Sequence, residues 1–101
     1  MNNTVELEAL QENAQKATNL LKVMANEWRL LILCYLALEE LSVSDLETRL
    51  GLSQSALSQH LAVLRRERLV KTRRSAQSIY YSLDSDDVKA LMETLYERFC
   101  S

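Results

Sequence analysis

One glycine, Gly51, and no proline interrupt the 101 residues of this chain. Architectures built on many tight turns need left-handed or pre-bent positions at each of them. A turn-rich β sandwich is therefore not expected, and collagen-like or Pro-rich architectures are excluded. A glycine-rich phosphate loop, of the P-loop or the dinucleotide type, needs several glycines in one short segment and is excluded too. With His60 as the only histidine, metal sites built from several imidazoles are ruled out. What remains is a mostly helical chain with length for a single domain, residues 1–101.

Apolar spacing sets the registers of the helices. From Val5 to Met24, the side chains Leu7, Leu10, Ala14, Ala17, Leu21 and Met24 recur every three or four residues and predict an amphipathic helix. Asn26 is a candidate N-cap for a second helix, with Glu27 near the positive end of its dipole. The run Leu30 to Leu38 is apolar throughout, so this helix is expected to be central and buried on most sides, with Glu39 and Glu40 ending it. That run is about half of the roughly 20 residues needed to cross a bilayer. The N-terminus lacks the basic start and apolar core of a secretory signal. The expectation is a cytoplasmic protein with no membrane partner, whose two cysteines, Cys34 and Cys100, are thiols.

Ser42 or Ser44 is placed to cap a short third helix with Val43, Leu46 and Leu50 inward, and Gly51 to end it in the left-handed conformation. Ser53 caps a fourth helix running to about Arg66, on which Leu57, Leu61 and Leu64 share one face. Two short helices joined by a tight turn containing Gly are a helix-turn-helix, here about residues 43–66. After Arg68 the period changes to two. Leu69–Arg73 and Ser78–Leu83 read as strands, with Ile79, Tyr81 and Leu83 inward and Arg74–Gln77 as the hairpin tip, a wing at about 69–83. Asp84 or Ser85 caps a last helix to about residue 100, whose stripe is Val88, Leu91, Met92, Leu95 and Phe99. The order H-H-H-H-E-E-H is mainly α with a β-hairpin wing, a winged helix-turn-helix. The stripes of the first and last helices, about 5–24 and 85–100, are broader than one small core needs. A homodimer that buries them is expected.

Charge is concentrated in the same region. Between Ser53 and Leu83 the ionised residues are Arg65, Arg66, Arg68, Lys71, Arg73 and Arg74 against Glu67 alone, although the whole chain is net −2. A basic segment on an acidic body focuses positive potential where a polyanion docks. On the recognition helix, Ser53, Gln54, Ser55, Ser58 and Gln59 point outward at its N-terminal end, with His60 to one side. These are side chains that read base edges in a major groove. Arg65, Arg66 and Arg68 would hold phosphates, and Arg73, Arg74 and Gln77 would extend the contact from the wing. The expected partner is an imperfectly palindromic double-stranded DNA operator, met by two recognition helices about one DNA turn apart. A helical module that binds an acidic protein through the basic segment is the reading from another class. No nucleophile with an orienting base is apparent, so no enzyme activity is expected, and no cofactor.

Leu21–Leu33, Leu52–Leu61 and Leu64–Leu83 resemble the ArsR/SmtB family of bacterial winged-helix repressors, and the resemblance covers nearly the whole chain. It implies a dimeric repressor that leaves DNA when an inducer binds. Where metal-sensing branches carry Cys-Val-Cys, this chain has Ser42-Val43-Ser44, and its last helix offers Asp86 and Asp87 but no His, so no metal is expected. Cys34 and Cys100 resemble the pair in the dithiol branch, the biofilm growth-associated and hemolysin-activator type regulators. That resemblance implies that a persulfide or polysulfide inducer links the two cysteines and changes DNA affinity. Cys100 would attack first and Cys34 resolve. It also leaves a reading without thiol control, in which the protein displaces a silencing protein at virulence-type promoters.

Overall fold

From the second helix on, each helix of this chain begins where a short polar side chain takes up a free backbone N–H. The computed structural model describes residues 3–100, with side chains from residue 6. It contains α1 (Asn3–Met24), α2 (Glu27–Leu38), β1 (Leu41–Ser42), α3 (Val43–Leu50), α4 (Gln54–Arg66), β2 (Val70–Ser75), β3 (Ser78–Leu83) and α5 (Asp86–Phe99). Asn26 Oδ1 accepts from the Arg29 N–H at 3.1 Å and starts α2. Of the two serines open for α3, Ser42 is the cap. Its Oγ accepts from Asp45 N–H at 3.1 Å, and Asp45 accepts back from Ser42 N–H at 3.3 Å, a reciprocal capping box. Ser53 caps α4 and Ser85 caps α5, each accepting at 3.2 Å. Gly51 closes α3 at φ 68°, where a side chain is strained.

The C-terminus of α4 is a Schellman turn. Leu69 N–H donates to Leu64 C=O at 2.9 Å and Arg68 N–H to Arg65 C=O at 3.0 Å, with Leu64 and Leu69 both buried. The left-handed position, usually Gly, is Arg68 at φ 64°. Arg68→Gly is expected to raise the unfolding free energy by roughly 0.5 kcal/mol. That is a left-handed penalty of about 1 kcal/mol less the extra freedom of glycine in the unfolded chain. Urea midpoints read it directly, and a lower midpoint would show that Arg68 holds contacts worth more than its strain.

The sheet has three strands in the order β1-β3-β2, all antiparallel, where two were expected. β1 pairs Leu41 with Tyr81 and Ser42 with Tyr80, fastening the wing to the entry of α3. The hairpin is tighter than expected. Arg74 and Ser75 belong to β2, and the tip is Ala76-Gln77, with Ala76 at φ 56°. Ile79, expected inward, is exposed because that part of β3 projects beyond the core; Tyr81 is half-buried and Leu83 buried.

Leu33, Ile32, Leu46, Leu57, Leu64, Val88 and Met92 form the fully buried centre, drawn from α2, α3, α4 and α5. α2 is central, yet Trp28, Leu31 and Leu38 stay exposed, so its burial is one-sided rather than all-round. α1 departs most from the core. Among its described side chains only Met24 is buried and only Leu20 and Val23 pack against the cluster, while Leu7, Leu10, Ala14, Ala17 and Leu21 face outward. The radius of gyration, 15.9 Å, exceeds the about 13 Å of a compact chain this long because α1 stands out as an arm.

Candidate nucleic-acid interface and thiol pair

Burying Leu57, Leu61 and Leu64 fixes the roll of α4. At 100° per residue, Ser55, Gln59 and Arg66 then point outward and Gln54, Ser58 and Arg65 lie on one flank. That flank forms an open groove with the wing. One part is lined by Val43, Ser58, Arg65, Arg66 and Tyr81, and the next by Glu47, Gln54, Ser58, Gln77, Ile79 and Tyr81. Neither Tyr81, expected only as an inward residue of the wing, nor Glu47 is among the DNA contacts expected from sequence. The position of Glu47 on the wheel of α3 was the available signal. Ser53 is exposed, with its oxygen engaged in the cap. Arg65, Arg66 and Arg68 are exposed at the C-terminal end of α4, Arg66 within 3.9 Å of Glu67. His60 sits apart, half-buried on the other flank. Burial, and then the charge of Arg29, pushes its pKa down, so the imidazole is neutral at physiological pH and adds no cation to the groove.

The two wing arginines separate by register. Arg74 pairs with Ile79 and shares the sheet face of Tyr81, toward the groove. Arg73 pairs with Tyr80 on the opposite face, where Glu40 holds its guanidinium. Arg73 and Arg74, expected together at the hairpin tip, therefore lie on opposite faces, because a period of two parts neighbours.

The two cysteines, 66 positions apart in sequence, lie on α2 and at the end of α5, two helices that pack against each other. Cys34 is half-buried on α2; Cys100 is exposed at the C-cap of α5, its N–H donating to Tyr96 C=O at 2.8 Å. Both are free thiols. The Cys34 thiol is pushed above its ordinary pKa, first by burial and then by the charge of Cys100. A mainly apolar cavity of about 180 Å³ opens beside Cys34, lined by Ala37, Leu38, Met92, Tyr96 and two glutamates of α5, Glu93 and Glu97. Among the described residues no group of three or more His, Cys, Asp or Glu could hold a metal ion. No described helix is long and apolar enough to cross a membrane.

A helix-turn-helix with an exposed polar recognition helix, flanked by a hairpin wing and a cationic end, defines a winged-helix protein of the DNA-binding regulator class. Residues 26–72 match the family described as bacterial regulatory protein, arsR family. The chain is 55% identical over 96 residues to the transcriptional activator HlyU of Vibrio cholerae, covering 95% of this chain and 89% of that one. To the biofilm growth-associated repressor of Agrobacterium fabrum it is 42% identical over 97 residues, 96% and 83% of the two chains. The structure of reduced HlyU from Vibrio cholerae N16961 superposes with a TM-score of 0.90 at 55% identity, covering 93% of this chain and 99% of that one. The chain belongs to the ArsR family and is a transcription regulator of the winged-helix type.

Proposed function

We propose that this regulator is a homodimer that grips operator DNA through α4 and the wing, and that linkage of Cys34 to Cys100 by sulfur loosens the grip. Ser53, Gln54, Ser55, Ser58 and Gln59 read base edges or anchor to phosphate at the helix start. Arg65, Arg66 and Arg68 hold the backbone, and Arg74 and Gln77 reach from the wing. The observation that carries the thiol half is the cavity shared by Cys34 of α2 and Met92, Glu93, Tyr96 and Glu97 of α5, the helix that Cys100 caps. That the similar Vibrio cholerae protein is described in a reduced form, reduced HlyU, adds support.

The chemistry balances with a persulfide as oxidant. The exposed Cys100 thiolate attacks the outer sulfur of RS–SH, gaining a persulfide and releasing RS⁻. Attack by the Cys34 thiolate on the Cys100 Sγ closes a disulfide and expels HS⁻. If Cys100 first takes a second sulfur the same way, attack on the middle sulfur leaves one added sulfur in the link and again expels HS⁻. Mass spectrometry distinguishes the products: loss of two hydrogens for the disulfide, a further gain of one sulfur for the trisulfide. Because burial raises the pKa of Cys34, little of it is thiolate at neutral pH and the second step is slowed there. Its rate is expected to rise about tenfold per pH unit while the thiolate is scarce, with persulfidated, unlinked Cys100 accumulating at the acidic end. A closure rate flat with pH, or no mass change with persulfide donor, would refute this assignment.

The sign of regulation has two readings. Binding that blocks a promoter is repression, as the biofilm growth-associated repressor is named. The relative with 55% identity is named a transcriptional activator, which favours the second reading, displacement of a silencer by the bound protein. Both need the same DNA face.

A further inference from the structure

Along the wing, Lys71, Arg73 and Ser75 share a sheet face with Ser78, Tyr80 and Ser82. Ser42 of β1 lies opposite Tyr80 on the far side of the central strand, and Glu40 precedes it by two residues, so Glu40 continues the same face. The Arg73 guanidinium crosses the Tyr80 ring 4.7 Å from its centroid. Beyond the ring its Nε donates to both Glu40 carboxylate oxygens, at 2.8 and 2.9 Å, and Nη2 approaches Oε1 at 2.6 Å. One side chain on the outer strand thereby spans the whole sheet and grips the segment that joins α2 to β1.

We propose that Arg73 and Glu40 form a strap that aims the wing at DNA, with Arg73 a positioning residue and not a phosphate contact. This rests on the reading of α4 and the wing as the DNA face. The strap crosses at the Arg73–Tyr80 pair, and only the pairs Arg74–Ile79 and Ser75–Ser78 and the Ala76-Gln77 turn project past it. Arg74 and Gln77, the wing's DNA contacts, are in that projecting end. A two-stranded ribbon is marginally stable alone and twists easily, so its direction depends on what holds its base. A planar guanidinium forked onto a carboxylate and stacked on a ring fixes orientation, which a lysine at the same place does not. Glu39, the preceding residue, bonds Arg49 of α3 at 2.9 Å. The end of α2 therefore holds the wing through one glutamate and the helix-turn-helix through the other.

The two roles open to Arg73 give opposite signs for Glu40→Gln. The measurement is the affinity of the full chain for a duplex selected from a random pool on the unmodified protein, taken as a function of salt. At about 0.15 M salt, where charges beyond about 8 Å are screened, the strap predicts that Glu40→Gln weakens binding about threefold. It does so with unchanged salt slope, although it removes a negative charge. Arg73→Lys has the same effect, and Glu40→Gln adds nothing to it. Arg74→Ala, by contrast, lowers the slope by about one ion. Tighter binding by Glu40→Gln would overturn the strap, since it would mean that Arg73 freed from its carboxylate meets phosphate. If Arg74→Ala leaves affinity and slope untouched, the wing has no place on the DNA. That result overturns the DNA reading of the wing and the strap with it.

Discussion

A Leu10→Glu, Phe99→Glu double variant is expected to be a folded monomer that binds the selected duplex at least about 100-fold more weakly than the unmodified chain. Both side chains are largely exposed in the protomer, Leu10 at 63% and Phe99 at 80%, so the core loses nothing by the change. What they are expected to lose is a partner. On α1 the residues Leu7, Leu10, Ala14, Ala17, Leu21 and Met24 follow alternating steps of three and four, the seam of a helix that packs against another helix. Yet only Met24 of that seam is buried. An unsupported amphipathic helix is marginal in water, so the outer turns of α1 call for a surface to lie on. A second copy, with the same seam and with Phe99 and Tyr96 exposed at the end of α5, supplies an apolar match. A carboxylate placed on that seam would have to be buried with it. Loss of the dimer removes the second recognition helix, and with it the effective concentration that multiplies the affinity of one half-site. Sedimentation at micromolar concentration and binding to full and half sites check both parts. An unmodified chain that sediments as a monomer, or a double variant that keeps the full-site affinity, would rule the dimer out.

Much of this was legible in the sequence because the signals are local. Asn26, Ser53 and Gly51 mark their helix ends, since a cap is decided within four residues, while α3 and α5 each offered two candidates, of which Ser42 and Ser85 are the caps. Leu57, Leu61 and Leu64 alone set which residues of α4 face outward. The strand β1 was not legible: two residues gain strand character only by pairing with β3, some 40 positions away, and carry no periodicity of their own. Arg73 and Arg74 could be parted only once the register was fixed, and the tip moved because Arg74 and Ser75 pair with Ile79 and Ser78. The exposed side of α2 has a similar cause. An apolar run names a helix that wants burial, but which side the protomer covers depends on where α4 and α5 cross it.

Treatment with a persulfide donor is expected to weaken binding to the selected duplex by on the order of tenfold or more, the usual scale of coupling between two sites. Reductant should restore it, and neither Cys34→Ser nor Cys100→Ser should respond. The loop closed by the link is long enough to restrict the unfolded chain by roughly 4 kcal/mol in the chain-entropy estimate. Stability is not the quantity that matters for DNA, however. A link alters affinity only if the DNA-bound shape and the linked shape differ at the α2–α5 contact, since a ligand shifts an equilibrium only by its differential affinity. The chain supplies a physical route for such a difference. Cys34 lies on α2, one to two turns before Glu39 and Glu40, whose partners are Arg49 on α3 and Arg73 on the wing. A tether that draws the end of α5 onto α2 therefore acts on the helix that holds both DNA-facing elements. The serine variants remove the chemistry and leave that mechanical path in place. A donor response that survives in both would show that sulfur acts somewhere other than this pair. Linkage seen by mass with unchanged affinity would show that α2 can accept the tether without moving the groove.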